Sequence, residues 1–218
     1  MKTAIVIGAT GLVGSQLVSL LLQDSRFERV KVFARRSVGV TSEKLEEHIV
    51  DFDQLDSWKR ELTGDVLYSA MGTTLRTAGS KEAQYKIDYT YQYQVAKAAV
   101  ANGVPQYILV SSAGASVDSR IFYSRMKGEL ERDIKKLPFE VIHVVRPGML
   151  AGSRIESRAG EKVGIVMMKL VGAIPGLNAL RPIQGREVAQ AMINATFKRP
   201  EGIHSYSLGE VFKLAKQL

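Results

Sequence analysis

Two stretches of this sequence carry groups able to move protons. Tyr123-Ser-Arg-Met-Lys127 sets a phenol and an ammonium four residues apart, and on a helix that spacing puts both on one face. A lysine charge beside a phenol favours the phenolate and lowers its pKa from about 10, which suits proton exchange near neutral pH. Upstream, Leu109-Val-Ser111-Ser112-Ala-Gly114 ends an apolar run in hydroxyls. Ligands of open α/β sheets sit outside the carboxyl ends of strands, which is where such hydroxyls stand. Alone, the Tyr–Lys spacing is common helix surface and a serine pair is common turn chemistry. Their order along one chain makes a site of them.

A third signal is Gly8-Ala-Thr-Gly11-Leu-Val-Gly14, between an expected strand at 3–7 and an expected helix at 12–22. A phosphate can approach the backbone closely here because no Cβ obstructs it, and the helix start offers N–H groups and a favourable dipole. The spacing is GxxGxxG rather than the GxGxxG of many dinucleotide folds, and a plain tight turn is the alternative. Its position at the first strand–helix junction favours nucleotide binding. At the end of the second strand an NAD site usually carries an Asp or Glu for the ribose 2′-OH. This chain has Ala34-Arg35-Arg36-Ser37 and no acid between Val30 and Thr41. Two guanidinium groups suit a 2′-phosphate, so NADP(H) is expected over NAD(H). Asp51 and Phe52, at the end of the third strand, stand where an adenine could stack and hydrogen-bond, a plain loop acid and a core aromatic being the equal alternative.

Other chemistry is excluded or disfavoured. The 218 residues include no cysteine, which removes disulfides, thiolate metal sites and cysteine nucleophiles. His48, His143 and His204 lie far apart without ligand spacing, so no metal site is expected. Thirty Lys and Arg against 22 Asp and Glu give a net charge of +8. The charges are scattered, and nucleic acid binding needs a concentrated footprint, so none is expected. No apolar run is long enough to span a bilayer, the first residues do not read as a signal peptide, and a cytoplasmic location is the expectation.

Those side chains need a scaffold. Short apolar runs at 3–7, 30–34, 48–50, 65–70, 106–111 and 140–146 alternate with helical patterns at 12–22, 82–101 and 123–136. Strands separated by helices imply parallel pairing, hence an α/β, Rossmann-type doubly wound parallel sheet. One domain over 1–218 is expected, with 147–218 contributing a small substrate-side cap without a core of its own. Within it, residues 163–177 read as a substrate flap rather than a peripheral membrane contact. A helix is expected from Gly185, and Leu208, Val211, Phe212, Ala215 and Leu218 mark an amphipathic one at the end. Tyr85, Tyr89 and Tyr93 form a helical stripe that serves either a core face or a homodimer. His143 reads as a core histidine.

The chain resembles the atypical short-chain dehydrogenase/reductases, and within them the Tat-interacting protein 2-like oxidoreductases. The resemblance rests on GATGLVG, VDFDQLD, MGTTLRTAG, LVSSAGA, YSRMKGELE and VVRPGMLAGSRIESRAGE, spanning residues 1–161. It implies a Rossmann-type fold binding NADP(H), in an oxidoreductase that reduces a small carbonyl compound. Gly8, Thr10, Gly11, Leu12 and Val13 would hold the pyrophosphate, Arg35 and Arg36 the 2′-phosphate, and Asp51 and Phe52 the adenine. Ala70, Met71 and Gly72 would lie along the dinucleotide, with Pro147, Gly148 and Met149 facing the nicotinamide. Tyr123 would donate the proton, Lys127 would contact the nicotinamide ribose and tune the phenol, and Ser112 would polarise the carbonyl. Alternation along the strand turns Ser111 to the opposite face. Relatives described as regulatory binders supply an alternative, an NADP(H)-binding sensor with little or no turnover. The stretch after Pro147 is short for the second domain of extended members, which disfavours a nucleotide-sugar substrate.

Overall fold

The computed structural model describes residues 1–151, 181–198 and 201–217. Its elements are β1 (Lys2–Ile7), α1 (Gly14–Gln23), β2 (Phe27–Ala34), β3 (Leu45–Ile49) and β4 (Val66–Ser69), then α2 (Leu75–Ala78) and α3 (Lys81–Tyr85). A π-helical turn (Lys86–Thr90) joins α3 to α4 (Tyr91–Ala101), followed by β5 (Gln106–Val110), α5 (Phe122–Ile134) and β6 (Val141–Arg146). The rest is β7 (Leu150–Ala151), β8 (Ile183–Gln184), α6 (Gly185–Thr196), β9 (Gly202–Ser207) and α7 (Gly209–Ala215). Seven strands pair in the order β3-β2-β1-β4-β5-β6-β9, every pair parallel. The order reverses between β1 and β4, and the crevice above that reversal is where doubly wound sheets bind ligands.

The continuous apolar strands follow from cover on both faces. Successive β1 residues alternate between two cores: Ala4 and Val6 join Leu17, Leu21, Val188 and Met192 on one face, while Ile5 and Ile7 join Leu67, Val95, Leu130 and Ile134 on the other. β4 and β5 are divided in the same way, with Tyr68 and Ile108 on the first face and Leu67 and Leu109 on the second. The helices therefore have no freedom to slide without opening one core or the other.

Three expectations change. Residues 147–218 were assigned to a cap, yet their described part adds sheet and core: β9 is the seventh strand, paired with β6, and α6 lies against α1. A Cβ on Gly185 would fall 2.6 Å from the Leu12 carbonyl oxygen, so close is that approach. The strand escaped sequence reading because GIHSYS has no run of apolar residues and lies largely exposed at the sheet edge. β7 and β8 pair in a separate two-stranded ladder; the expected flap at 163–177 lies outside the described residues. β3 also starts earlier than expected, at Leu45, and β2 starts at Phe27 rather than at Val30.

Candidate functional site

The glycine turn is built by close backbone approach. Gly8 has φ +79°, and a Cβ there would sit 2.4 Å from the Ala70 carbonyl carbon. A Cβ on Gly14 would lie 2.1 Å from the Gly8 carbonyl oxygen, so α1 starts hard against the end of β1. The Gly11 N–H donates to the Gly8 carbonyl at 3.0 Å and closes the turn. No acidic residue occupies the first turn of α1 and no side chain caps it, which leaves the positive end of the helix to an anion. From this turn a groove of about 450 Å³ runs along the carboxyl ends of β1, β2 and β4, lined by Gly8, Thr10, Gly11, Arg35, Arg36, Phe52, Ala70, Met71 and Gly72 among others. Among the described residues no carboxylate lines it. A smaller recess shares Thr10 and Arg36 with it and adds the hydroxyls of Ser15, Ser19 and Ser37.

A second depression, about 250 Å³, continues from the first and shares Gly11, Ala70, Met71, Gly72 and Thr73 with it. Its far wall is α5. Tyr123, 39% exposed, stands at the mouth, and Lys127 one turn on is buried. Helical spacing brings the Lys127 Nζ to 5.9 Å from the centre of the Tyr123 ring. α5 can approach because residue 128 is glycine: a Cβ there would lie 2.3 Å from the Ser116 carbonyl carbon.

Lys127 is not a lone cation. Its Nζ lies 3.0 Å from Oδ1 of Asp88, a residue of the π-helical turn. Asp88 is itself buried, and its Oδ2 accepts the Thr73 N–H at 2.8 Å. Burial is the largest single influence on the Lys127 pKa and pulls it down, but the charge and hydrogen bond of Asp88 together with Tyr123 and Glu131 outweigh it, and the net direction is upward. Behind the pair, the Gln92 amide donates to the Asp88 carbonyl at 2.6 Å and its oxygen accepts from Ser69 Oγ at 2.7 Å.

The expected residues divide. The glycine-turn residues, both arginines, Phe52 and Ala70–Gly72 come together along one groove, and Leu12, Val13, Tyr123 and Lys127 line its continuation. Asp51 does not line it; its carboxylate accepts the Asp53 N–H at 2.9 Å and starts a short 3-10 helix. Pro147, Gly148 and Met149 stay outside the lining, and Leu150 reaches it instead. Ser111 lines the pocket, with its hydroxyl turned to Glu131. Ser112 is half-buried one residue on, outside that lining. Asp88, Tyr91, Thr73 and Thr77 line the site without having been singled out. The acid inside the aromatic run KIDYTY was the available cue. Its inward direction depends on the π turn, which shifts the 3.6-residue phase and is common at functional sites.

Strand order, glycine turn and groove define a Rossmann-type dinucleotide-binding protein. Residues 8–160 match the family described as NAD(P)H-binding, and the chain belongs to that family. It is 35% identical over 227 residues to the mitochondrial protein FMP52-1 of Scheffersomyces stipitis, covering 99% of this chain and all of that one. To the mitochondrial protein fmp52-1 of Aspergillus terreus it is 36% identical, with 93% and 90% covered. Among solved structures, a UDP-N-acetylglucosamine 4-epimerase from Methanobrevibacter ruminantium superposes with a TM-score of 0.70 at 16% identity, over 97% of this chain and 80% of that one. A short-chain dehydrogenase/reductase superfamily protein from Agrobacterium tumefaciens with bound NAD gives 0.68 at 14% identity, over 94% and 77%. At such identities the likeness is one of fold.

These names overturn the cytoplasmic location expected from the sequence, since the curated relatives are called mitochondrial. That expectation rested on the lack of a secretory signal or membrane span, and neither bears on import into an organelle.

Proposed function

We propose that the chain is an NADP(H)-dependent oxidoreductase of the short-chain dehydrogenase/reductase type that reduces a small carbonyl compound. The observation carrying this reading is the continuity of the glycine-turn groove with the depression holding Tyr123 and Lys127. The group bound there supplies the hydride; the chain supplies orientation and protons. The glycine turn and the α1 N-terminus hold the pyrophosphate. Arg35 and Arg36, with no acid beside them, favour the 2′-phosphate of NADP(H) over the bare ribose of NAD(H).

Tyr123, at the mouth, donates a proton to the substrate carbonyl oxygen, and Lys127 holds the nicotinamide ribose from beneath. Ser112, at the β5 end but outside the lining of the depression, would have to turn inward to orient the carbonyl, since the Ser111 hydroxyl is held by Glu131. The branch nearest Tat-interacting protein 2 remains part of this reading, through the motifs quoted above.

The test is Tyr123→Phe, assayed for NADPH-dependent reduction across a panel of small aldehydes and ketones. General acid catalysis contributes about 10²- to 10⁴-fold, and a loss of that size with NADPH affinity retained is expected. Turnover equal to that of the unmodified protein sinks the assignment. Nucleotide binding without turnover of any carbonyl points to the sensor reading instead.

A further inference from the structure

Asp88 places a carboxylate in the same depression as the phenol and the ammonium. Among the described residues lining that depression, Asp88 and Lys127 are the two that carry charge. They lie 3.0 Å apart with side chains 1% and 3% exposed. Their surroundings bring little compensating charge. From α5, Glu131 faces inward but is held by Arg146 and Ser111. Lys81 rests on the ring of Phe122 and Arg125 is turned to the Ser119 carbonyl. The glycine turn, the end of β4 and Leu150 contribute no ionisable group to the wall. The pair therefore presents zero net charge to whatever fills the depression.

Two neighbouring opposite charges nearly cancel at a distance, whereas a single buried charge is poorly screened. This matters for a nicotinamide, whose oxidised ring carries one positive charge and whose reduced ring carries none. A bare lysine would repel the oxidised ring and leave the reduced one alone. We propose that Asp88 is a specificity-determining positioning residue which, by neutralising Lys127, lets the site retain NADP⁺ as well as NADPH and so sets the balance between the oxidised and reduced forms of the bound cofactor. The inference rests on the proposed function, in that it takes this depression as the nicotinamide end.

The anchoring supports the role. Asp88 sits on a π-helical turn, its Oδ2 is fixed by the Thr73 backbone and its carbonyl by Gln92. Its side chain cannot swing away when a ligand enters without breaking the Thr73 bond and the Lys127 pair, and Gln92 holds the backbone of the turn beneath it. A surface carboxylate near the lysine would be screened and replaceable; this one is neither.

The test is calorimetric titration of the purified protein with NADP⁺ and NADPH, with the ratio of the two dissociation constants as readout. Asp88→Asn is expected to weaken NADP⁺ about tenfold relative to NADPH, because one positive charge is then uncompensated. Lys127→Met is expected to move the ratio the other way. The double variant Asp88→Asn/Lys127→Met, again neutral, is expected to return it towards the starting value, and the two lysine variants carry the test if Asp88→Asn does not fold. Equal losses for both nucleotides would reduce Asp88 to a structural residue and overturn the inference, as would an unmoved ratio. If the unmodified protein binds neither nucleotide, the reading of the groove falls and the inference falls with it. Binding of both with a ratio indifferent to these substitutions overturns the inference alone.

Discussion

Ser111 Oγ donates to Glu131 Oε1 at 2.5 Å, and this contact ties the end of β5 to the middle of α5. Arg146, at the end of β6, closes on the same carboxylate, with Nε 2.9 Å from Oε1. Two neighbouring strands and the helix bearing Tyr123 and Lys127 are thus joined through one buried acid. Glu131→Gln leaves Arg146 facing a neutral amide in a partly buried place. Removing one partner of a buried pair costs 3–5 kcal/mol when burial is complete; with the Arg146 side chain 26% exposed, about 2 kcal/mol is expected. Urea denaturation checks it, and a loss below a few tenths would mean the pair holds nothing together.

The arginines after β2 make a sharper statement about the cofactor. Replacing both Arg35 and Arg36 by Ala is expected to weaken NADPH binding by about 1.5–3 kcal/mol, the range for charged hydrogen bonds. NADH, lacking the 2′-phosphate, is expected to change little. Titration of both nucleotides decides it; parallel losses would assign the arginines to the pyrophosphate or to the fold.

Gly128 is a mechanical prediction. Because a Cβ there would lie 2.3 Å from backbone at Ser116, Gly128→Ala must push α5 off the loop that follows β5. Overpacking of this kind costs about 1–3 kcal/mol, and the displacement carries Tyr123 and Lys127 with it. Both a lower thermal midpoint and reduced carbonyl turnover are expected. A variant with wild-type stability would show that the loop yields freely.

His143 makes the fold sensitive to acid. It is buried in β6 opposite His204, and burial first, then the charges of His204 and Lys198, push its pKa down from 6.5 to about 4. The unfolded chain therefore binds the proton more readily than the folded one. Stability is intact above pH about 6.5 and is lost as pH falls towards about 4, a range corresponding to roughly 3 kcal/mol. His143→Leu is expected to flatten the stability–pH curve in that window, at the cost of the contact between His143 Nδ1 and the Tyr206 hydroxyl at 3.3 Å. An unchanged slope would place the acid sensitivity elsewhere.

Much of the molecule was legible in the order of its residues. Apolar runs and helical spacing predict β1, β2, β4, β5, β6 and the helices bearing the site, because local periodicity reports which faces must be covered. GATGLVG, Arg35-Arg36 and Tyr123–Lys127 are short-range patterns whose geometry follows from a turn or a helix, and each contributes residues to the groove or to the depression that continues it. Ser111 and Ser112 show the limit. Alternation separates their side chains, but which one faces the depression depends on where α5 packs.

The remaining features come from the tertiary structure. Whether Lys127 is a lone charge or half of a neutral pair is decided by a π turn in another helix, and nothing in YSRMK signals it. Asp51, expected at an adenine, lies outside the groove lining, with its Oδ1 accepting a backbone N–H two residues on. β9 is a strand because β6 offers it an open edge, not because GIHSYS favours one strongly. In each case the deciding partner is distant along the chain or depends on a local irregularity, and periodicity carries no information about either. Sequence by itself determined the sheet, the turn and the helix that present this chemistry. The charge state and the side-chain directions inside the site were decided only when the chain folded, because a buried group's partners are set by packing.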